Sequence, residues 1–259
     1  MFVAELVYPG DRLVSNDRAW AWKTDNIVRS LVCALDDAAI ALLGFESEVG
    51  SVRAFPQSTR DEWVSAQSEQ EGMELEVAVH LGLDRYNVEV RYQAEVDLKR
   101  RHWANGERPR SYERRVMFMH ARSFLFSLDR IEMILGVLCA DNQAPPGVAT
   151  ACAQLDVVAP TLRPLRNSVA HHEDRIRGLG PGQRPIHLLP IVDNAMIHAP
   201  SGGVLAVENL NNSRFGSTVA DGTYAEIDVS ESTLRSIRDC IQSVIQSYDW
   251  TGTRQHHPS

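Results

Sequence analysis

The sequence predicts a mainly α-helical protein: an antiparallel helical bundle with a small antiparallel β-meander inserted before its last helix. Three observations predict it. Long stretches repeat apolar residues at steps of three and four, a late segment alternates them between turn dipeptides, and a final stretch returns to helical spacing. At 259 residues with 44% hydrophobic content, the chain can bury one substantial core or two small ones. The expectation is a single domain over 1–259, with 186–229 as a β-rich insertion and 251–259 as a flexible tail.

From Trp20 to Leu42, the positions Trp20, Ile27, Leu31, Ala34, Ala38 and Leu42 mark one face of an amphipathic helix. Thr59-Arg60-Asp61-Glu62 has the form of a capping box and starts a polar helix. The next stretch is ambiguous. Leu75, Val77, Val79 and Leu81, then Tyr86 to Leu98, alternate as in a strand, but the second run is long for a strand and flows into the helix-favouring Lys99 to Trp103. The reading leans to helix over 73–98 and leaves a hairpin of strands open. After Ser111, the series Met117, Ala121, Phe124, Leu128, Ile131, Leu135 and Leu138 forms an unbroken seam that calls for a partner helix, inside the bundle or across a dimer.

A two-proline turn at 143–147 precedes a short helix to Val158. Pro160 then suits the first turn of another helix with Leu162, Leu165, Val169 and Ile176 as its buried stripe, ended by the glycines at 178–182. Val204 to Leu210, Arg214 to Ala220 and Thr223 to Val229 read as three strands, with Asn211-Asn212 and Asp221-Gly222 as turns. Ser230 or Ser232 caps a last helix whose Leu234, Ile237, Ile241, Val244, Ile245 and Tyr248 should dock on the bundle.

No apolar run reaches bilayer-spanning length, and no signal-peptide pattern opens the chain, so the expected location is cytoplasmic, with no membrane partner. Cys33, Cys139, Cys152 and Cys240 lack CxxC spacing and read as buried free thiols, with neither disulfide nor zinc implied. A net charge of −8 disfavours non-specific coating of nucleic acid. A local basic run at 99–115, including Arg100, Arg101, Arg110 and Arg114, is the candidate RNA-binding surface; a solvated helix end is the plainer reading. The five tryptophans read as core or interface anchors.

The most specific chemistry lies in Arg166-Asn167-Ser168-Val169-Ala170-His171, placed mid-helix by the surrounding stripe. Arginine offers a permanent fork of donors to phosphate, and histidine moves protons near neutral pH. His171 can deprotonate a ribose 2′-hydroxyl while Arg166 stabilises the phosphorane, and Asn167 can bond phosphate or orient the imidazole. His172 and Glu173 stand as supporting residues, and Glu173, Asp174, Arg175 and Arg177 as a helix-end charge network. A metal site using His172 with Asp174, or with His187 or His198, is a minor alternative because adjacent helical residues diverge by about 100°. No metal or other cofactor is expected. His198 to Gly203 reads as a simple turn.

The segment Arg166-Asn167-Ser168-Val169-Ala170-His171 resembles the RNxxxH form of the Arg-x4-6-His motif of the HEPN superfamily. The resemblance covers the motif helix, more loosely 17–177, and the closing helix 231–248. It implies a HEPN-like antiparallel bundle that pairs as a homodimer, bringing two motifs into one composite site. It also implies a metal-independent endoribonuclease in toxin–antitoxin, phage-defence or RNA-processing systems, with Arg166 and His171 catalytic, Asn167 their polar companion, RNA as substrate and an antitoxin or regulatory protein as possible partner. Some members of the family are non-catalytic nucleotide-, RNA- or protein-binding modules, which is the alternative; a metal-dependent phosphohydrolase is a third. The chain departs from the subgroup whose motif carries Tyr two positions after the His, since Glu173 stands there.

Overall fold

The computed structural model describes residues 2–53, 60–192, 194 and 197–258. Its elements in chain order are β1 (Leu6–Tyr8), β2 (Arg12–Leu13), α1 (Arg18–Arg53), α2 (Arg60–Leu81), α3 (Val88–Ala104), α4 (Arg110–Cys139), α5 (Pro146–Val158), α6 (Leu162–Ala170), α7 (His172–Arg175), β3 (Asn209–Asn211), β4 (Arg214–Thr218), β5 (Tyr224–Asp228), α8 (Glu231–Ser247), β6 (Trp250–Thr251) and β7 (Gln255–His257). The protein is thus mainly helical with small antiparallel sheets. It divides into two compact units, residues 1–46 with 118–259, and residues 47–117. No helix of the described residues is long and apolar enough to cross a membrane.

In the first unit, the predicted faces of α1 and α4 are its core. Leu31, Ala34, Ala38 and Leu42 are buried, as are Ala121, Phe124, Leu128, Ile131, Leu135 and Leu138. The α4 seam is therefore already covered within a single chain. α1 and α4 approach so closely at Gly44 that a Cβ there would lie 2.3 Å from the His120 ring. Trp20 Nε1 ties the start of α1 to Asp141 Oδ2, beyond the end of α4, at 2.7 Å. Burying one such leucine contributes about 1.5–3 kcal/mol, so the seam alone outweighs any surface ion pair.

α8 packs on α5 and β1, with Leu234, Ile237, Ile241, Val244 and Ile245 buried as expected. Its cap is Ser230, whose Oγ accepts from Thr233 N at 3.4 Å. The meander β3-β4-β5 is antiparallel and abuts α6 through β4 and β5. Its first strand is shorter than predicted, covering 209–211, and its first turn lies one residue later. At Asp221-Gly222, Gly222 has φ +90°, and a Cβ would meet His187 O at 1.8 Å, so glycine is required there.

In the second unit, α2 and α3 form a helical hairpin, so 73–81 and 88–98 are helical, joined by a short loop. The alternating pattern misleads because Val77, Ala78, Val90 and Ala94 are buried while Leu75, Val79, Val88 and Tyr92 stay exposed. Asn87 caps α3 by accepting from Glu89 N at 2.9 Å. Thr59 of the expected capping box lies outside the described residues, and α2 begins at Arg60.

Three further expectations are corrected. Of the expected flexible tail 251–259, the described residues to 258 are held by pairing: β7 pairs with β1 and β6 with β2, because β7 supplies backbone partners to a strand whose Leu6 and Tyr8 are buried; the side chain of His257 also reaches Asp36, with Nε2 2.8 Å from Oδ1. Cys139 and Cys152 form a disulfide across the turn from α4 to α5, and Cys33 is exposed; only Cys240 is a buried free thiol. Of the five tryptophans expected as core or interface anchors, Trp22, Trp63 and Trp103 are exposed and are not core anchors.

Candidate functional site

α6 starts at Leu162 and lays Leu162, Leu165, Ser168 and Val169 against the meander. Ser168 is the polar member of this stripe, and it is satisfied: its Oγ donates to Thr218 O on β4 at 2.6 Å and accepts from Arg175 Nε at 3.0 Å. Arg175 is itself buried, and its Nη1 donates to Leu179 O. These bonds explain why the helix breaks. In a continuous helix, seven residues separate two positions by about 10 Å of rise, too far for this close engagement of Ser168 by Arg175. The chain instead turns at His171 (φ −109°, ψ 45°), and α7 folds back. The motif therefore ends a helix instead of lying in its middle. Arg175 is a buried strut, not part of an exposed charge network, and Ile176 points to solvent instead of the core.

Arg166 and Arg163, one turn apart on α6, face Asp129 and Glu132, one turn apart on α4. Arg166 Nε lies 2.8 Å from Asp129 Oδ1, and Arg163 Nη2 lies 2.7 Å from Glu132 Oε1. The Arg166 contact is an ion pair off the angle of a hydrogen bond, so Nε and Oδ1 are close in charge but not formally bonded. Its side chain is 27% exposed and that of Asp129 10%. The terminal Nη1 and Nη2 of Arg166 bond to no described residue.

His172 turns the other way. Its Nδ1 is 3.7 Å from Oε1 of Glu208, whose Oε2 accepts from Arg122 Nη2 at 2.7 Å. The Glu208 side chain is 7% exposed and its backbone is left-handed (φ 49°), a conformation that costs a non-glycine residue and delivers this carboxylate from the segment before β3 to the motif. Along α4 the rungs follow in order: Glu132 with Arg163, Asp129 with Arg166, Arg122 with Glu208 and His172. α6 thus runs antiparallel to α4 across a polar interface.

His171 is exposed, Asn167 half-buried and Glu173 exposed. One ligand atom each from His171, Glu173 and Asp174 lies within 4.8 Å of the others, a grouping with the donor types of a divalent-metal site. The minor metal alternative joins His172 to Asp174, His187 or His198, but the break at His171 sends His172 to Glu208 and puts His171 beside the carboxylates. Asp174 Oδ1 also accepts from Gln183 Nε2 at 2.8 Å. His187 and His198 are not in that group, and Ala199 to Gly202 is a turn after a bridge to Ile191.

The basic residues of the expected RNA surface belong to the second unit. Arg100 pairs with Asp97 at 3.3 Å and Arg101 with Glu76 at 3.2 Å, while Arg110 and Arg114 are exposed. A cavity of about 620 Å³ lies in the α2–α3 groove, lined by Met73, Val77 and Arg101. A cavity of about 310 Å³ opens beside the Arg163–Glu132 rung. Asp129, Arg122 and Glu208 are the site residues that the sequence reading missed. Asp129 had a signal, as a carboxylate next to Leu128 inside an apolar seam; Glu208 had none.

Comparison with protein-family models, with curated proteins and with solved structures finds no match. Fold and site define a mainly helical protein with a polar α4–α6 interface leading to an exposed histidine.

Proposed function

We propose that the protein is a metal-independent endoribonuclease of the HEPN type, acting as a homodimer. The observation that carries the reading is the state of Arg166: Nε is held by a buried carboxylate, the two Nη groups are left for a phosphate, and an exposed His171 stands at the end of the same helix. His171 takes the proton of a ribose 2′-hydroxyl, the 2′-oxygen attacks phosphorus, and Arg166 stabilises the added negative charge. The P–O5′ bond breaks, the leaving 5′-oxygen takes a proton from an imidazolium or water, and a 2′,3′-cyclic phosphate remains. Toxin–antitoxin, phage-defence and RNA-processing roles all fit such an activity.

The test is incubation of RNA with the full chain in EDTA and mapping of the new ends. His171→Ala and Arg166→Ala are each expected to slow cleavage about 100-fold or more. Failure to cut RNA, or unchanged cutting after both substitutions, overturns the reading. Loss of cutting in EDTA with the wild-type chain transfers it to a metal site at His171, Glu173 and Asp174.

A second reading, a non-catalytic nucleotide-, RNA- or protein-binding module, is favoured by the ladder itself. Arg163 and Arg166 each face a carboxylate of α4, the arrangement of an interhelical strut. Binding of RNA without new ends selects it.

A further inference from the structure

The break that ends α6 makes His171 the N-cap of α7 and puts Asp174 at the third position of the same turn. Side chains at those two positions face each other, as they do in a capping box. With Glu173 beside them, one imidazole nitrogen and two carboxylate oxygens lie within 4.8 Å of one another. Among the described residues, no other three donors of these types come so close.

We infer that His171, Glu173 and Asp174 bind a zinc ion, and that the ion switches the ribonuclease off by occupying the lone pair with which His171 accepts the 2′-hydroxyl proton. Donor chemistry selects the ion. An imidazole suits zinc better than magnesium or calcium, which take oxygen shells, and two carboxylates cancel the double charge. Donors held about 2.0–2.2 Å from zinc stand roughly 3.5 Å apart, so the three groups close by about an ångström to bind it. His171 and Glu173 are exposed and have room for that movement.

Asp174 is the half-buried member, and it is aimed from outside the group. Its Oδ1 accepts from Gln183 Nε2 at 2.8 Å and lies 3.6 Å from Arg177 Nη1. Both contacts fall on Oδ1, which leaves Oδ2 for the ion. A ligating carboxylate held by an outer amide is the arrangement by which metal sites orient their ligands. The Arg177 side chain is 60% exposed, so water takes it up when the ion's charge arrives.

The two uses of His171 exclude each other. A neutral imidazole has one nitrogen lone pair, its other nitrogen carrying the proton, and a ring that has given that pair to zinc accepts nothing. The switch rests on the proposed ribonuclease reading; the ion site does not.

Titration calorimetry of the full chain with zinc chloride in metal-free buffer tests the site. One ion per chain is expected there. Its affinity should fall by more than about tenfold in His171→Ala, Glu173→Gln and Asp174→Asn, by about tenfold in Gln183→Ala, and not at all in His172→Ala. Unchanged helical circular dichroism of the zinc-free variants separates a lost site from a lost fold. No bound zinc, or affinity kept in His171→Ala and lost in His172→Ala, overturns the inference.

RNA cutting reads the switch. Saturating zinc is expected to slow the wild type about 100-fold, the loss expected of His171→Ala. Asp174→Asn, measured against its own zinc-free rate, should need more than about ten times as much zinc for half of that effect. Zinc bound at His171 in a chain that cuts no RNA sinks the ribonuclease reading and leaves the site. Cutting that continues unslowed in saturating zinc sinks the switch alone, and cutting that requires zinc overturns both.

Discussion

The Arg166–Asp129 contact between α6 and α4 and the Arg101–Glu76 contact between α3 and α2 are ion pairs of similar length, 2.8 and 3.2 Å, in different surroundings. The first pair has side chains 27% and 10% exposed, the second 50% and 65%. Removing one partner from the first leaves a charge with little water to replace it, whereas the second is screened on both sides. The same contrast runs through the two units. The motif is braced by Asp129, Ser168, Arg175 and Glu208, all largely buried, while the α2–α3 hairpin relies on a small cluster of Met73, Val77, Ala78, Val90 and Ala94 with exposed pairs around it. Spacing in sequence does not distinguish a braced cation from a solvated one; packing does.

The largest effect should come from cutting the braced pair. Asp129→Ala is expected to cost about 3 kcal/mol in denaturant unfolding, and Glu76→Ala under about 1 kcal/mol; equal losses would erase the contrast. Next comes the hairpin's own core. Met73→Ala should cost about 2 kcal/mol, read as lost hydrogen-exchange protection in α2 and α3 with α8 unaffected. Loss of protection in α8 as well would make the two units one cooperative body.

Ser168→Ala removes the acceptor of Arg175 Nε inside the protein and is expected to cost about 1–3 kcal/mol. Arg110→Ala, on an exposed cation, should leave the unfolding midpoint unmoved. The smallest effect is one of pH. His102 bonds Glu107 at 2.7 Å and reaches Glu69 on α2 at 3.3 Å, and these acids, the Glu107 bond foremost, raise its pKa. A raised folded value favours the folded state of the protonated form, so this support is complete below the ordinary histidine pKa and fades as pH rises through the raised one. Protection of the hairpin should thus fall slightly as pH rises above the ordinary histidine pKa. His102→Gln should abolish that slope; a slope that persists assigns it to another group.

The faces of α1, α4 and α8 were legible because each buries a stripe at helical period, and the Asp221-Gly222 turn because Gly222 needs a positive φ. The hairpin at 73–98 leans to helix in the sequence but stays ambiguous, because each of its helices buries only a narrow strip, so residues on its exposed faces are free to be apolar. β1, β2, β6 and β7 are two or three residues each, too short for any period, and form only because distant strands supply partners. At the candidate site, Arg166, Asn167 and His171 were legible as a motif, yet the helix break at His171 was not. It depends on Arg175 reaching Ser168, a bond that α6 and α7 make only when folded back. Glu208 was invisible because its role comes from a left-handed backbone at a position with no glycine.

The pairing of β1 with β7 joins two segments far apart in the sequence, Leu6 opposite His257. On a ribosome, Leu6 and Tyr8 must wait without this strand partner until Gln255–His257 have emerged. Contacts this distant in sequence form slowly, after local helices such as α2 and α3. Completion of the first unit therefore waits for β7, and a chain stopped short of β7 would carry the whole Arg166 to His171 motif without its closing strand.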